Sequence, residues 1–232
     1  MDKSFKIKLL LCCLLLSVQI AFSQDKKFNN RFELLSGVRR PKDAQANWDQ
    51  RYNKQQYIYG KTPADFLSEN YKYIPDSSNV LDMGMGEGRN AVFLAGKGYK
   101  VIGVDISPIA VKKAQALARE FGVRIKTVVS SMDDYKISKN SLDAIICFYF
   151  VDRSLGQKMI EWLRPGGILI YEAHNKLQKN VPGSENYDDK FLLEKGELLT
   201  MFNGMKILKY EEPIHKPEFI SSIILQKPAN KK

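Results

Sequence analysis

Short apolar runs alternate with amphipathic stretches between residues 79 and 173. The pattern predicts strands near 79–82, 100–105, 124–129, 142–148 and 166–173 with helices between them. Such alternation implies a parallel sheet with right-handed crossovers, whose ligands lie at the carboxyl ends of the strands. Ser107 and Pro108 suit the N-cap and first position of a helix over 108–121. Upstream, 44–53 and 63–73 carry helical patterns on either side of Tyr57-Ile58-Tyr59-Gly60, and are expected to form a small cap over the ligand mouth, 44–75, ahead of a core over 76–232. Downstream, a helix is expected over 191–202. The runs 206–211 and 219–227 then follow, separated by Pro213 and Pro217 with no helical pattern between them, so they should pair antiparallel.

The densest chemistry sits where the first strand meets its helix, at Val80-Leu81-Asp82-Met83-Gly84-Met85-Gly86-Glu87-Gly88-Arg89. Three alternating glycines let the backbone reverse and lie flat against a ligand. A dinucleotide site uses G-x-G-x-x-G ahead of a pyrophosphate. Here Arg89 stands where that third glycine would be, Gly88 comes one residue early, and Asp82 puts a carboxylate before the turn. A ligand carrying an ammonium and a sulfonium tolerates that charge better than a diphosphate does. Asp105 ends the next apolar run, 17 positions beyond Gly88, close to the offset of roughly 20 residues expected of a ribose-binding carboxylate.

The segments VLDMGMGEGRN, VIGVDIS, SLDAIICFYF and LRPGGILIYE, in this order and spacing, resemble the class I S-adenosylmethionine-dependent methyltransferases. WDQRYNKQQYIYGKTPADFL and FLLEKGELLTMFNGMKILKYEE resemble the tellurite-resistance branch of that family, and the likeness runs over 47–226. It implies an α/β, Rossmann-like doubly wound sheet of seven mostly parallel strands with a C-terminal antiparallel hairpin, and methyl transfer from S-adenosyl-L-methionine to a small-molecule acceptor. It also assigns the cofactor to Tyr59, Gly60, Asp82, Gly84, Gly86, Gly88, Arg89, Asp105, Ile106, Ser131, Met132 and Asp133. At the third strand's end relatives usually carry an acid for the adenine amino group; this chain has Ser131, so the Ser131 hydroxyl, the Met132 backbone or Asp133 takes that part. Pro165-Gly166-Gly167 is a hallmark of the family that builds a turn and should not touch ligand. A non-catalytic adenosyl-binding protein and a nicotinamide-dependent oxidoreductase are the alternative readings, the latter opposed by Arg89.

In-line displacement at a sulfonium asks the protein mainly for alignment, and a general base only when the acceptor arrives protonated. Tyr149, Asp152, Glu172 and His174 stand at strand ends. His174 and Tyr149 are the candidate catalytic residues, while Asp152 suits a cap near Ser154. Two histidines and three cysteines offer no metal-ligand spacing.

The N-terminus changes the cellular picture. Lys3, Lys6 and Lys8 precede the apolar run beginning at Leu9, and Ala21-Phe22-Ser23 forms a small-x-small site before Gln24. Residues 1–23 are therefore expected to be a signal peptide for export to the periplasm or beyond, followed by a polar linker over 24–43. An uncleaved membrane anchor, or a misassigned start on a cytoplasmic protein, are the alternatives. After cleavage, 33 basic and 25 acidic side chains leave a net charge of +8. The lysines are scattered, and Cys147-Phe148-Tyr149-Phe150 replaces the Asp/Asn-Pro-Pro-aromatic motif of enzymes that methylate base amines, so both features argue against a nucleic-acid partner.

Overall fold

A computed structural model describes residues 44–214 and 218–229. The expected signal peptide and linker lie outside the described residues.

Seven strands form one sheet: β1 (Asn79–Met83), β2 (Lys100–Asp105), β3 (Lys126–Val129), β4 (Leu142–Phe148), β5 (Leu163–His174), β6 (Lys206–Glu211) and β7 (Ile220–Gln226). Their order is β3-β2-β1-β4-β5-β7-β6. The first five are parallel, and β7 runs antiparallel between β5 and β6. Chain direction across the sheet reverses between β1 and β4, which makes their carboxyl ends the switch point where doubly wound sheets bind ligand.

Helices α1 (Ala44–Tyr52) and α2 (Asp65–Asn70) precede the sheet; α3 (Arg89–Gly96), α4 (Pro108–Glu120) and α5 (Gly156–Trp162) are crossovers, and α6 (Leu198–Met201) is a single turn. Alternate residues of the central strands divide the core. Leu81, Met83, Ile145 and Cys147 pack with Leu155, Met159 and Trp162 on one face, while Val80, Ala144 and Ile146 pack with Leu67, Ala91 and Leu94 on the other. β4 is buried along its whole length, as a parallel strand covered on both faces must be.

Two expected helices are shorter in the structure. The 63–73 segment is α2 followed by a 3-10 turn at Tyr71–Tyr73. Over 191–202 only α6 is α-helical. Gly196, at φ 74°, interrupts the segment, and the Leu193 N–H donates to the His174 carbonyl at 2.9 Å, tying the chain to the end of β5. Pro165-Gly166-Gly167 makes an irregularity within β5: pairing with β4 shifts register between Leu142/Leu163 and Ala144/Ile168.

Candidate active site

The carboxyl ends of β1, β2, β4 and β5, the loop after β3, α1 and the 187–191 segment enclose a cavity of about 730 Å³, within the roughly 300–1,000 Å³ of small-molecule sites. Every candidate named from the sequence except Gly88 and Glu172 lines it.

The turn after β1 is built by close approach. Gly86 has φ 55°, and a Cβ there would sit 2.8 Å from the Tyr52 hydroxyl, so a side chain would collide with the cap. Gly88 has a different task. It is the N-cap of α3 at φ 87°, and a Cβ would lie 2.6 Å from the Cβ of Ala114 in α4. Gly88 thus serves helix packing and is not among the residues that line the cavity.

Two buried carboxylates face this turn. Asp105 accepts hydrogen bonds from the Gly86 N–H at 2.8 Å and the Ser107 N–H at 2.9 Å. Each oxygen keeps a lone pair, the capacity two ribose hydroxyls require. Burial lifts its carboxyl to about 6, with those N–H groups pulling the other way. Asp82 is 2% exposed, and its Oδ2 has no hydrogen-bond partner among the described residues. Burial lifts it to about 8; Asp105 adds repulsion, while Arg89 and the Ala91 N–H pull down. An orphaned buried carboxylate oxygen costs free energy until a cation meets it.

The cap is stitched to the turn through Glu87 and Lys113. Glu87 ion-pairs with Lys113 and accepts from the Ile58 N–H at 2.8 Å. The Lys113 ammonium also donates to the carbonyls of Lys54 and Gln56, at 3.0 and 2.8 Å, just beyond the end of α1. Asn90 accepts from the Ala64 N–H at 2.9 Å, and Ser107 donates to Asp49 of α1. Trp48 stacks on Tyr52 at 5.6 Å, and both line the cavity.

On the β4–β5 side, Tyr149 adopts φ 58°, a left-handed conformation unusual for a residue with a side chain. Its hydroxyl donates to Glu172 Oε1 at 3.0 Å, and Ser222 donates to Glu172 Oε2 at 2.7 Å. Burial and the neighbouring Glu172 push the Tyr149 hydroxyl far above its ordinary value, so it stays protonated at any physiological pH. Asp152 accepts from the N–H and hydroxyl of Ser154, at 3.0 and 2.6 Å, capping a 3-10 turn as expected. His174 ends β5 beside Tyr149, ring centroids 4.9 Å apart.

Residues 80–167 match the profile of a methyltransferase domain. The chain is 29% identical over 105 residues to a ubiquinone biosynthesis O-methyltransferase of Rickettsia canadensis, covering 43% of this chain and 44% of the relative. It is 32% identical over 125 residues to the tRNA 5-carboxymethoxyuridine methyltransferase of Escherichia coli, covering 49% and 48%. In fold it resembles TehB from Haemophilus influenzae, with a TM-score of 0.59 at 19% identity over 79% of this chain and 66% of that one. Together these likenesses support a class I S-adenosylmethionine-dependent methyltransferase. The matched region spans less than half the length of these two curated relatives.

The residues present fit the family's cofactor. Asp82, with its unpartnered oxygen, suits the cationic amino-acid end of S-adenosylmethionine, and the remaining acceptor capacity of Asp105 suits the ribose. At the third strand's end, Ser131 donates to Asp134 at 2.6 Å and accepts from the Asp134 N–H at 3.2 Å. That commits the hydroxyl to its own turn. Asp133 is exposed and pairs with Lys158 at 3.4 Å, while Met132 is buried against the cavity. Tyr59, Gly60 and Ile106 complete the cap and β2 sides. Glu87, Asn90 and Tyr187 also line the site and were not singled out by sequence. Glu87 could have been, since it lies between two glycines of the turn. Tyr187 lies in an aperiodic stretch that offered no signal.

Proposed function

We propose that this chain transfers the methyl group of S-adenosylmethionine to a small-molecule acceptor. The observation that carries the reading is the pair of buried carboxylates at the ends of β1 and β2, one with an oxygen that has no partner among the described residues, set around a glycine turn at the cavity. The acceptor's lone pair attacks the methyl carbon, the carbon–sulfur bond breaks with its electrons left on sulfur, and S-adenosylhomocysteine leaves as a neutral thioether. Attack by an anion neutralises two charges, so alignment and exclusion of water supply most of the rate. Tyr149 holds its proton against Glu172, Glu172 is occupied by Tyr149 and Ser222, and Asp152 caps a turn. For an acceptor that arrives protonated, the cavity-lining imidazole of His174 is the candidate base.

Incubating the full chain with methyl-labelled cofactor, host tRNA and a small-molecule extract of the host tests this. Label is expected in the small-molecule fraction; label confined to tRNA, or none in either, contradicts the reading.

We also propose export through residues 1–23. N-terminal sequencing of protein from its native host should begin at Gln24, and an intact Met1 in the cytosolic fraction would remove the proposal.

A further inference from the structure

One wall of the cavity is a succession of planar groups. The Arg89 guanidinium lies 5.7 Å from the centroid of the Tyr149 ring. Tyr149 meets His174 at 4.9 Å and 46°, and His174 meets Tyr187 at 5.7 Å and 68°. All four residues line the cavity. The wall is held from behind. The Tyr149 N–H donates to the Glu172 carbonyl at 2.8 Å and its hydroxyl to the Glu172 carboxylate at 3.0 Å. Glu172 is 2% exposed and accepts from Ser222 as well. Two anchors on one residue explain how Tyr149 keeps a left-handed backbone that costs about 1–3 kcal/mol in a side-chain-bearing residue.

Charge is divided across the same cavity. The acids Asp82, Glu87, Asp105, Asp133 and Asp134 lie on or just after β1, β2 and β3, while Asp152, after β4, also lines the cavity with one oxygen held by Ser154. On the wall the basic groups are Arg89 and, at its far end, Lys190, which pairs with Asp188 at 3.0 Å. Among the described residues Arg89 makes no hydrogen bond or ion pair; its neighbours there are the Tyr149 face and the charge of Asp82. As the first residue of α3 it also stands at the helix end where a cation is disfavoured by the backbone dipole. Helix stability therefore does not account for it; the charge of Asp82 and an anion in the cavity both would.

We propose that the methyl acceptor is a small planar aromatic anion, lying against the Arg89–Tyr149–His174–Tyr187 wall with its negative charge toward Arg89. This rests on the methyl-transfer reading and adds the acceptor's class to it. The rings, inclined to one another at 46° and 68°, offer faces and edges to an aromatic ligand, and a guanidinium beside them suits a planar anion that can meet it edge-on.

The test is calorimetry on the full chain saturated with S-adenosylhomocysteine, titrated with three probes: 2-naphthoate, planar and anionic; 2-naphthamide, planar and neutral; and cyclohexanecarboxylate, anionic and not planar. 2-Naphthoate should bind at least tenfold tighter than either of the others. Arg89→Met should abolish its advantage over the amide, and Tyr149→Leu its advantage over cyclohexanecarboxylate. Equal affinities, a preference for either comparison probe, or no binding of 2-naphthoate to the cofactor-loaded protein would overturn the acceptor class while leaving the methyl-transfer reading intact. Failure of S-adenosylhomocysteine itself to bind would sink that parent reading instead.

Discussion

Replacing Asp82 with asparagine separates the two things this buried carboxylate does. In the free protein its Oδ2 has no partner and burial lifts its carboxyl to about 8, so at pH 7 the native state holds a proton that the unfolded chain has released. The native state then binds more protons than the unfolded one between about pH 4 and pH 8. By linkage, this group's contribution to stability is greatest below pH 4 and falls as pH rises through that window. Asp82→Asn should flatten that decline and leave the free protein at least as stable as wild type at pH 8. For the ligand the sign reverses. An ammonium requires the ionised carboxylate, so binding should expel a proton at pH 7, and wild-type affinity should rise as pH climbs from 6 toward 8. A hydrogen bond to a charged group contributes about 1.5–3 kcal/mol, so the asparagine variant should bind S-adenosylhomocysteine about 10- to 150-fold more weakly at pH 8. Calorimetry in two buffers of different ionisation enthalpy reads affinity and proton release together. Wild-type affinity in the variant, or no proton released by wild type at pH 7, would refute the reasoning.

Other residues give independent checks. Asp105→Ala removes the remaining acceptors for the ribose, and two hydrogen bonds of about 1 kcal/mol each imply at least tenfold weaker binding of S-adenosylhomocysteine; an unchanged affinity in calorimetry would withdraw the ribose assignment. Gly88→Val drives a side chain into Ala114 at a positive φ. The overpacking and left-handed backbone should cost about 2–4 kcal/mol and lower the melting temperature by several degrees, whereas an unaltered melting curve would remove the packing role. Lys113→Met strips the cation from Glu87 and from the carbonyls beyond α1. Breaking a buried pair costs about 3–5 kcal/mol, so hydrogen exchange at Ile58 and its neighbours should accelerate sharply, and unchanged protection there would show that the cap is held by other contacts.

The strand-helix alternation was legible because parallel strands and their crossovers each bury a continuous apolar stretch, and the β1 turn was legible because its glycines have no substitute at Gly86. Over 191–202 the apolar residues suggested a helix, but Leu193 instead bonds to the end of β5 and Gly196 turns the chain, a tertiary contact that local pattern does not carry. Gly88 was placed correctly in the turn, but its packing role was not legible, since only the packed structure reveals Ala114 against it. Ser131 was read as an adenine contact, yet its hydroxyl is engaged in its own turn, whereas Asp152 caps its turn as its position suggested. The acceptor wall was the least legible part. Arg89, Tyr149, His174 and Tyr187 come from four separate segments, and only the sheet's topology brings them together.

The central claim is that the cavity above β1 and β2 holds the adenosyl methyl donor. A crystal structure of the full chain grown with S-adenosylhomocysteine tests it most directly. The account requires the amino-acid end beside Asp82 and the ribose hydroxyls on Asp105. A cavity without adenosyl ligand at saturating concentration, or one that instead takes a dinucleotide with its diphosphate on the glycine turn, would contradict it.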